Sequence, residues 1–495
     1  MPFGDDSASD GGMRAQPLFY HRVLFLICPT GAFCREDRCQ SYFSPELIPS
    51  MRPPMEECEA AGAIRHAGAE PFVVDAPALG LSAAQTFESI ERIGPDLVVL
   101  VATFGTLDDD LAWAARIRER HPDLSIGLRG APCYVLAEEI LTRQPAVDFC
   151  VRGEYELVFE SIVRCGFRDA CGTVYRDGDR IVSPHPSAVA EDLDALPWPD
   201  RTVIDSSIYQ VRGLGAPQAT VRVQRGCPFP CTYCLVHSVS GDRARHRSPA
   251  SVAAEMAAVQ RTGIDYFYLR ADTFSLDRAW AIATSEAIAE QCPGARWVTT
   301  TRVECVDDAV LAAMRRGGCY GVSFGIDVGS RAIGQKVRKM PDAKRATAAM
   351  RGCDAHGIVS LGYVMIGFLW DTPETLDETE RFLRVVRPDL LTIHHAHPYP
   401  GTRYYDDVMA EKVSIASPRA QAEPALASHT LAPGELSRRA RAMMLRHFAR
   451  PAVIASLARK SVGLASDRWL RRWPRGSEKR ARRPWRAASA TDSTR

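Results

Sequence analysis

Cys227, Cys231 and Cys234 lie in the run Arg225-Gly-Cys-Pro-Phe-Pro-Cys-Thr-Tyr-Cys-Leu. This C-x3-C-x2-C spacing delivers three thiolates, and no fourth, to one short loop. A structural zinc site closes on four ligands and usually pairs two such knuckles, whereas a cubane iron–sulfur cluster on three thiolates keeps one iron open to a small molecule. The loop therefore reads as a chemical centre, with core thiols or half of a zinc site as the alternatives. Asp272 in Leu269-Arg-Ala-Asp-Thr-Phe and Asp327 in Gly325-Ile-Asp-Val-Gly-Ser add carboxylates able to accept hydrogen bonds. His394, His395 and His397 precede Pro398-Tyr-Pro-Gly-Thr. Strand alternation puts at most two of them on one face. With no matched cysteine or carboxylate nearby, a second metal is disfavoured there.

The elements that must position these groups can be read from residue 220 onward. Six apolar strands are predicted at 220–224, 266–270, 297–300, 321–325, 361–366 and 390–394, and each but the last precedes a helix. The helices fall at 251–261, 278–291, 307–316, 343–356 and 375–385, with Ser248-Pro249 and Thr375 as cap-like starts. Six βα units make a partial (βα)6 TIM-type barrel, with active groups at the carboxyl ends of its strands. The cysteine loop follows the first strand, Asp272 the second and Asp327 the fourth. Ile366 and Gly367 close the fifth.

Ahead of the barrel, strands at 23–28, 71–74, 97–101, 125–128 and 149–151 alternate with helical stretches such as 111–120 and 136–143. This α/β pattern predicts a doubly wound, flavodoxin- or Rossmann-like sheet. Its ligand loops would be 29–40, 103–106, 129–132 and 152–154, which carry Thr103, Gly130, Gly153 and Glu154. A nucleotide, a flavin or a corrinoid would each fit such loops, and fold alone does not choose. Between the sheets, residues 172–182 alternate around an Asp177-Gly178 turn and predict a hairpin. Leu196-Pro-Trp-Pro-Asp reads as an extended linker. Cys165 and Cys171, without histidine neighbours, are ordinary thiols.

Composition sets the class. The 495 residues are 46% hydrophobic and 24% charged with a net charge of +1, a globular balance that makes no electrostatic case for nucleic acid as a partner. No apolar run is long enough to span a membrane, and the acidic start lacks the features of a signal peptide. A cytoplasmic location is expected, and fifteen cysteines without a regular framework fit a reducing compartment. Past Tyr405 the chain predicts a helical carboxyl-terminal extension. At 467–486, Trp469, Trp473 and Trp485 stand among arginines and lysines, a solvated tail or a weak contact with an anionic membrane surface.

The cysteine run, with Gly226 before it and Tyr233 ahead of the third thiol, resembles the defining motif of the radical S-adenosylmethionine (SAM) superfamily. Gly325-Ile-Asp-Val-Gly-Ser is similar to that family's G-I-E-S-G-S phrase, with aspartate for glutamate. Val364-Met-Ile-Gly-Phe resembles its adenine-side segment, although Leu369-Trp-Asp departs from the usual proline-glycine-glutamate turn. Pro95-Asp-Leu-Val-Val-Leu, Leu128-Arg-Gly-Ala-Pro and Val147-Asp-Phe-Cys-Val-Arg-Gly-Glu resemble the cobalamin-binding domain that precedes many such barrels, without the D-x-H-x-x-G run that carries a cobalt-ligating histidine.

The resemblance implies a 4Fe-4S cluster on Cys227, Cys231 and Cys234. It also implies SAM near Asp272, Asp327, Ile366 and Gly367, and cobalamin, bound base-off, near Thr103, Gly130, Gly153 and Glu154. The implied activity is a cobalamin-dependent radical SAM methyltransferase acting on an unactivated carbon of a small-molecule or lipid substrate, served by an electron donor such as flavodoxin or ferredoxin. A non-methylating cyclase or rearrangement enzyme, or an iron–sulfur redox sensor, are the rival readings. The expected organisation is a lead at 1–18, a cobalamin-binding-like domain at 19–155, a linker with hairpin at 156–215, the barrel at 216–405, a helical extension at 406–470 and a basic tail at 471–495. Alanine placed singly at Cys227, Cys231 or Cys234 should abolish the iron content of the reconstituted protein, measured by metal analysis, while alanine at Cys165 or Cys171 should leave it intact.

Overall fold

The computed structural model describes residues 17–31, 35–37, 52–211, 215–415 and 424–466. Most of the lead and the whole of the basic tryptophan-bearing tail lie outside them.

The first layer contains strands β1 (Arg22–Ile27), β2 (Glu70–Asp75), β3 (Leu97–Val101), β4 (Ser125–Arg129), β5 (Phe149–Val151), β6 (Thr173–Asp177) and β7 (Arg180–Val182). Helices α1 (Met55–Ala67), α2 (Ala76–Leu79), α3 (Ala83–Ile93), α4 (Leu107–Arg120), α5 (Ala131–Arg143) and α6 (Tyr155–Cys165) connect and cover them. The strand order is β2-β1-β3-β4-β5-β6-β7, with the first five parallel. β3 reads Leu-Val-Val-Leu-Val and is buried at every residue because helices cover both faces. Leu24, Val98 and Leu100 pack with Phe87, Trp113 and Ile117 on one side, whereas Val23, Phe25 and Val99 pack with Ile64, Phe159 and Ile162 on the other.

The predicted hairpin forms, with Tyr175 opposite Val182, but it does not stand between the sheets. β6 pairs antiparallel with β5, so the first sheet runs on past residue 155 to Val182. The alternation that signals a hairpin carries no information about which exposed edge it will extend.

The second layer contains β8 (Gln210–Val211), β9 (Ala216–Arg222), β10 (Gln224–Arg225), β11 (Arg245–His246), β12 (Tyr266–Arg270), β13 (Arg296–Thr301), β14 (Cys319–Asp327), β15 (Val359–Ile366) and β16 (Leu390–His395). Its helices are α7 (Val236–Val239), α8 (Pro249–Gln260), α9 (Arg278–Gln291), α10 (Asp308–Arg316), α11 (Arg331–Lys336), α12 (Ala343–Ala355), α13 (Pro373–Val386) and α14 (Arg403–Ala410). Six parallel strands run in the order β16-β15-β14-β13-β12-β9, and β8 pairs antiparallel on the outer edge of β9. Alternate residues Val221, Leu269, Trp297, Phe324, Val364 and Leu391 join Met256, Ile288, Leu311 and Met350 in one helix-facing core, leaving the other strand face as the inside of a partial barrel. α15 (Pro433–Phe448) and α16 (Pro451–Ser466) follow, the first packing Leu436 and Met443 onto Ile366 and Leu376. Among the described residues no helix is long and apolar enough to cross a membrane.

Local details depart from the sequence reading. The first barrel strand ends at Arg222, and Gln224–Arg225 turns away to pair with β11. Thr372, not Thr375, caps α13. Its hydroxyl accepts from the Thr375 backbone N–H while the Thr375 hydroxyl accepts from the Thr372 N–H, a reciprocal capping box ahead of Pro373. The last strand is also followed by a helix, α14, capped by Thr402.

α1 joins the two layers and is buried from Met55 to Ile64 although it begins Met-Glu-Glu-Cys-Glu. Glu56 and Glu59, three apart, share a helix face. Glu59 makes a two-pronged pair with Arg222 at 2.6 and 2.8 Å, and Glu56 pairs with Arg270 and, at 3.3 Å, with Arg222. Glu57 turns back to Arg129 of its own sheet. Burial pushes the Glu56 carboxyl up, but Arg270 and Arg222 outweigh it and hold the group well below the usual carboxylate range. α6 completes the seam. Glu156 binds Arg225 at 2.5 Å, and Glu154 binds Arg225 at 3.1 Å and Arg245 at 2.6 Å.

The linker is clamped to the same helix. The Asp200 N–H donates to the Cys58 carbonyl at 2.8 Å, and a Cβ on Gly62 would come within 2.2 Å of the Trp198 carbonyl oxygen. Arg222→Ala leaves Glu59 buried without its main partner and should destabilise the protein by about 3–5 kcal/mol, read as a lower urea midpoint. Arg222→Lys should restore only part of this because it lacks the planar fork.

Candidate active site

The loop that carries the cysteines begins where β10 leaves the barrel. Gly226 has φ 86°, and a Cβ there would lie 2.1 Å from the Arg243 carbonyl oxygen, so the close chain crossing requires glycine. Its N–H donates to Asp272 Oδ2 at 2.7 Å, and its carbonyl accepts from the Gln224 side chain at 2.8 Å. Gln224 also accepts from the Thr273 N–H at 2.9 Å. The Thr232 N–H donates to the Val337 carbonyl at 3.1 Å, and the Thr232 carbonyl accepts from the Tyr404 N–H at 2.9 Å. The start of the loop is thus fixed by the end of β12 and its middle by the segments around α11 and α14.

All three cysteines are half-buried at this barrel mouth. Cys227 Sγ lies 3.6 Å from Thr273 Oγ1, and Arg302 Nη1 donates to Cys231 Sγ at 3.5 Å. Burial pushes the Cys234 thiol up to about 12 and raises that of Cys231, against which Lys339 and Arg302 work. Thiolates in such a place need positive counter-charge, which a bound metal cluster supplies. The donor set therefore fits an iron–sulfur group. Among the described residues, no three His, Cys, Asp or Glu side chains converge on a single metal-ion position. A cubane makes no such demand, because each thiolate takes its own iron.

The other predicted barrel residues converge on this mouth. Asp272 stands at its end of β12 and braces Gly226. Asp327, at φ 62°, ends β14 in a left-handed turn, and its Oδ2 pairs with the buried Lys339 ammonium at 3.2 Å. Gly367 has φ 83°. Its N–H donates to Asp371 Oδ2 at 2.8 Å and that of Phe368 does so at 3.0 Å, while the Ile366 carbonyl accepts from Ala396 N–H at 2.8 Å. Asp371, at the unusual Leu-Trp-Asp turn, thus shapes the strand end. Burial pushes its carboxyl up to about 6, against these hydrogen bonds.

The histidines divide between the faces as strand geometry requires. His394 lies inside with Tyr363, their rings 5.8 Å apart, whereas a Cβ on Gly367 would lie 3.6 Å from His395 Nδ1, beside Leu436 of α15. His397 packs on Tyr399 with the rings 4.6 Å apart. Burial lowers both His395 and His397 to about 4, so they are neutral at neutral pH.

The carboxyl ends of the first sheet face the same mouth. Phe104 after β3 and Ala131 after β4 pack with Leu235 of the cysteine loop and Tyr399 after β16, the Phe104 and Tyr399 rings being 5.2 Å apart. Gly401 approaches Val135 of α5 so closely that a Cβ would lie 2.2 Å from its Cγ1.

The four residues singled out in these loops have partners within the protein. Thr103 Oγ1 is 2.9 Å from Thr106 Oγ1, and a Cβ on Gly130 would lie 2.0 Å from the Ala102 carbonyl oxygen. The Gly153 carbonyl accepts from Tyr134 Oη at 2.7 Å, and Glu154 belongs to the ionic seam. Much of the loop at 29–40 lies outside the described residues. Arg302, Lys339 and Arg225 were not singled out from sequence. Arg302 follows the end of the third barrel strand, so the strand-end rule applied there would have found it. Lys339 and Arg225 had no comparable signal.

Residues 221–383 match the family described as the radical SAM superfamily. A protein of Pyrococcus horikoshii described as an uncharacterized methyltransferase is 27% identical over 350 residues, covering 69% of this chain and 76% of its own. The anaerobic magnesium-protoporphyrin IX monomethyl ester cyclase of Cereibacter sphaeroides is 27% identical over 376 residues, 72% of this chain and 60% of that protein. In fold, the chain is similar to the radical SAM methyltransferase TsrM of Kitasatospora setae, with a TM-score of 0.64, 16% identity, and coverage of 87% of this chain and 90% of the other. The three-cysteine loop at the mouth of the partial barrel thus lies within a segment, residues 221–383, that matches the radical SAM superfamily.

Proposed function

We propose that this protein is a cobalamin-dependent radical SAM methyltransferase that methylates an unactivated carbon of a small-molecule or lipid substrate. The observation that carries the reading is the meeting of the two sheets' carboxyl ends around the cysteine loop, through Phe104, Ala131, Leu235 and Tyr399. Two cofactor-bearing faces must lie this close if groups on them are to act on one substrate. When bound, the 4Fe-4S cluster supplies an electron for reductive cleavage of SAM, and cobalamin supplies a transferable methyl group.

The protein's own residues hold and orient. In this reading Cys227, Cys231 and Cys234 ligate the cluster. Asp272 and Asp327 contact the polar part of SAM while the backbone at Ile366 and Gly367 borders its adenine. The loops bearing Thr103, Gly130, Gly153 and Glu154 frame the corrinoid. Glu154 acts through the seam, because its carboxylate is committed to Arg225 and Arg245. Phe104 and Tyr399, both buried and in ring contact, give the junction of the two layers an apolar lining. The reading places the protein in the cytoplasm, served by a flavodoxin- or ferredoxin-type donor. Its domains are a cobalamin-binding unit and a barrel, joined by the linker clamped on α1.

A cyclase is the second reading, favoured by the similarity to the Cereibacter cyclase. Mass spectrometry of an anaerobic reaction with deuterium in the SAM methyl group separates the two. Methyl transfer predicts 5′-deoxyadenosine and S-adenosylhomocysteine in comparable amounts and label in the product. Formation of 5′-deoxyadenosine with no S-adenosylhomocysteine and an unlabelled product would replace methyl transfer by the cyclase.

A further inference from the structure

Arg302 occupies a site whose geometry neither cluster ligation nor SAM binding accounts for. It follows β13, and its guanidinium carbon lies 3.7 Å over the Phe229 ring, inside the cysteine loop itself. Nε donates to Glu304 Oε1 at 2.7 Å and Nη2 pairs with the same carboxylate. The fork is therefore held on one edge by Glu304 and on its face by Phe229, and Nη1 is the nitrogen that reaches Cys231 Sγ at 3.5 Å. The side chain is only 13% exposed, so solvent weakens the interaction little. A planar cation fixed in this way loses little freedom on donating to sulfur.

From this we infer that Arg302 is a positioning residue that sets the reduction potential of the cluster, through an N–H···S hydrogen bond and its charge at Cys231. The inference rests on the reading of Cys231 as a cluster ligand. Reduction adds one electron from a low-potential donor to a centre already made anionic by three thiolates, and no bond need break. A fixed cation and donor at one sulfur stabilise the more negative, reduced state, so they raise the potential. Glu304 opposes this effect with its own charge, and also holds the arginine in place.

The test is an anaerobic redox titration of the reconstituted full-length protein without SAM, followed by electron paramagnetic resonance, with iron content measured in parallel. At a fixed poise near the wild-type midpoint, R302A should lower the ratio of reduced to oxidised cluster about tenfold, equivalent to a midpoint about 59 mV more negative. R302K, which keeps the charge without the fork, should fall between. E304Q, which removes a negative charge and leaves Arg302, should shift the midpoint the other way.

Opposite signs for R302A and E304Q would not arise from general loosening of the loop. Equal midpoints in wild type and R302A at equal iron content would overturn the inference. Should R302A fail to hold iron, E304Q decides, a positive shift supporting the inference and no shift or a negative one overturning it. A wild-type protein that forms no cluster would overturn the functional reading and this inference together.

Discussion

The structure depends on the ionic seam that α1 and α6 make with the first barrel strands. Arg225 pairs with Glu154 and Glu156 on one side and stands immediately before Gly226 and Cys227 on the other. The residue that docks the domains is thus also the residue that starts the cysteine loop. Apolar packing alone would tolerate sliding between two layers, because it is non-directional. Arginine forks on carboxylates accept few geometries. Buried pairs of this kind add little net stability over well-packed apolar groups, and their best-attested use is to fix register.

That register has a consequence at the same carboxyl ends, where Arg222 and Arg270 close β9 and β12. Once α1 and α6 are seated on Arg222, Arg225, Arg245 and Arg270, the loops after β3 and β4 are carried against the loops after β10 and β16. The close approaches of Gly62 to the Trp198 carbonyl and of Gly401 to Val135 are points where any Cβ would collide, so they record how little space the docking leaves. The mouth is therefore closely framed on this side by the packing of Phe104, Ala131, Leu235 and Tyr399.

Around the cysteines the charges are ordered as well. Arg302 and Lys339 bring positive charge to Cys231, and each is itself answered by a carboxylate, Glu304 and Asp327. Asp327, which stands where the resembling phrase has glutamate, is thus held by an ammonium across the loop. The Leu369-Trp-Asp departure has a comparable explanation, for Asp371 accepts the Gly367 and Phe368 N–H groups and ties them to Thr375. Asp371 thereby keeps a polar partner for the backbone at the strand end, which burial demands.

The sequence by itself determined what depends on local period and spacing. The three-cysteine loop, the six parallel barrel strands, the doubly wound sheet and the hairpin turn were all legible, because side-chain alternation and turn chemistry act over a few residues. Only tertiary structure decided the edge that the hairpin extends, the burial of the glutamate-rich helix from Met55 to Ile64, and the commitment of Glu154 to the seam. It alone also placed Arg302 and Lys339 beside Cys231, the latter more than one hundred residues on. A charged helix reads as exposed until the arginines that neutralise it are brought from distant strands, and that pairing is set by three-dimensional docking that no local pattern encodes.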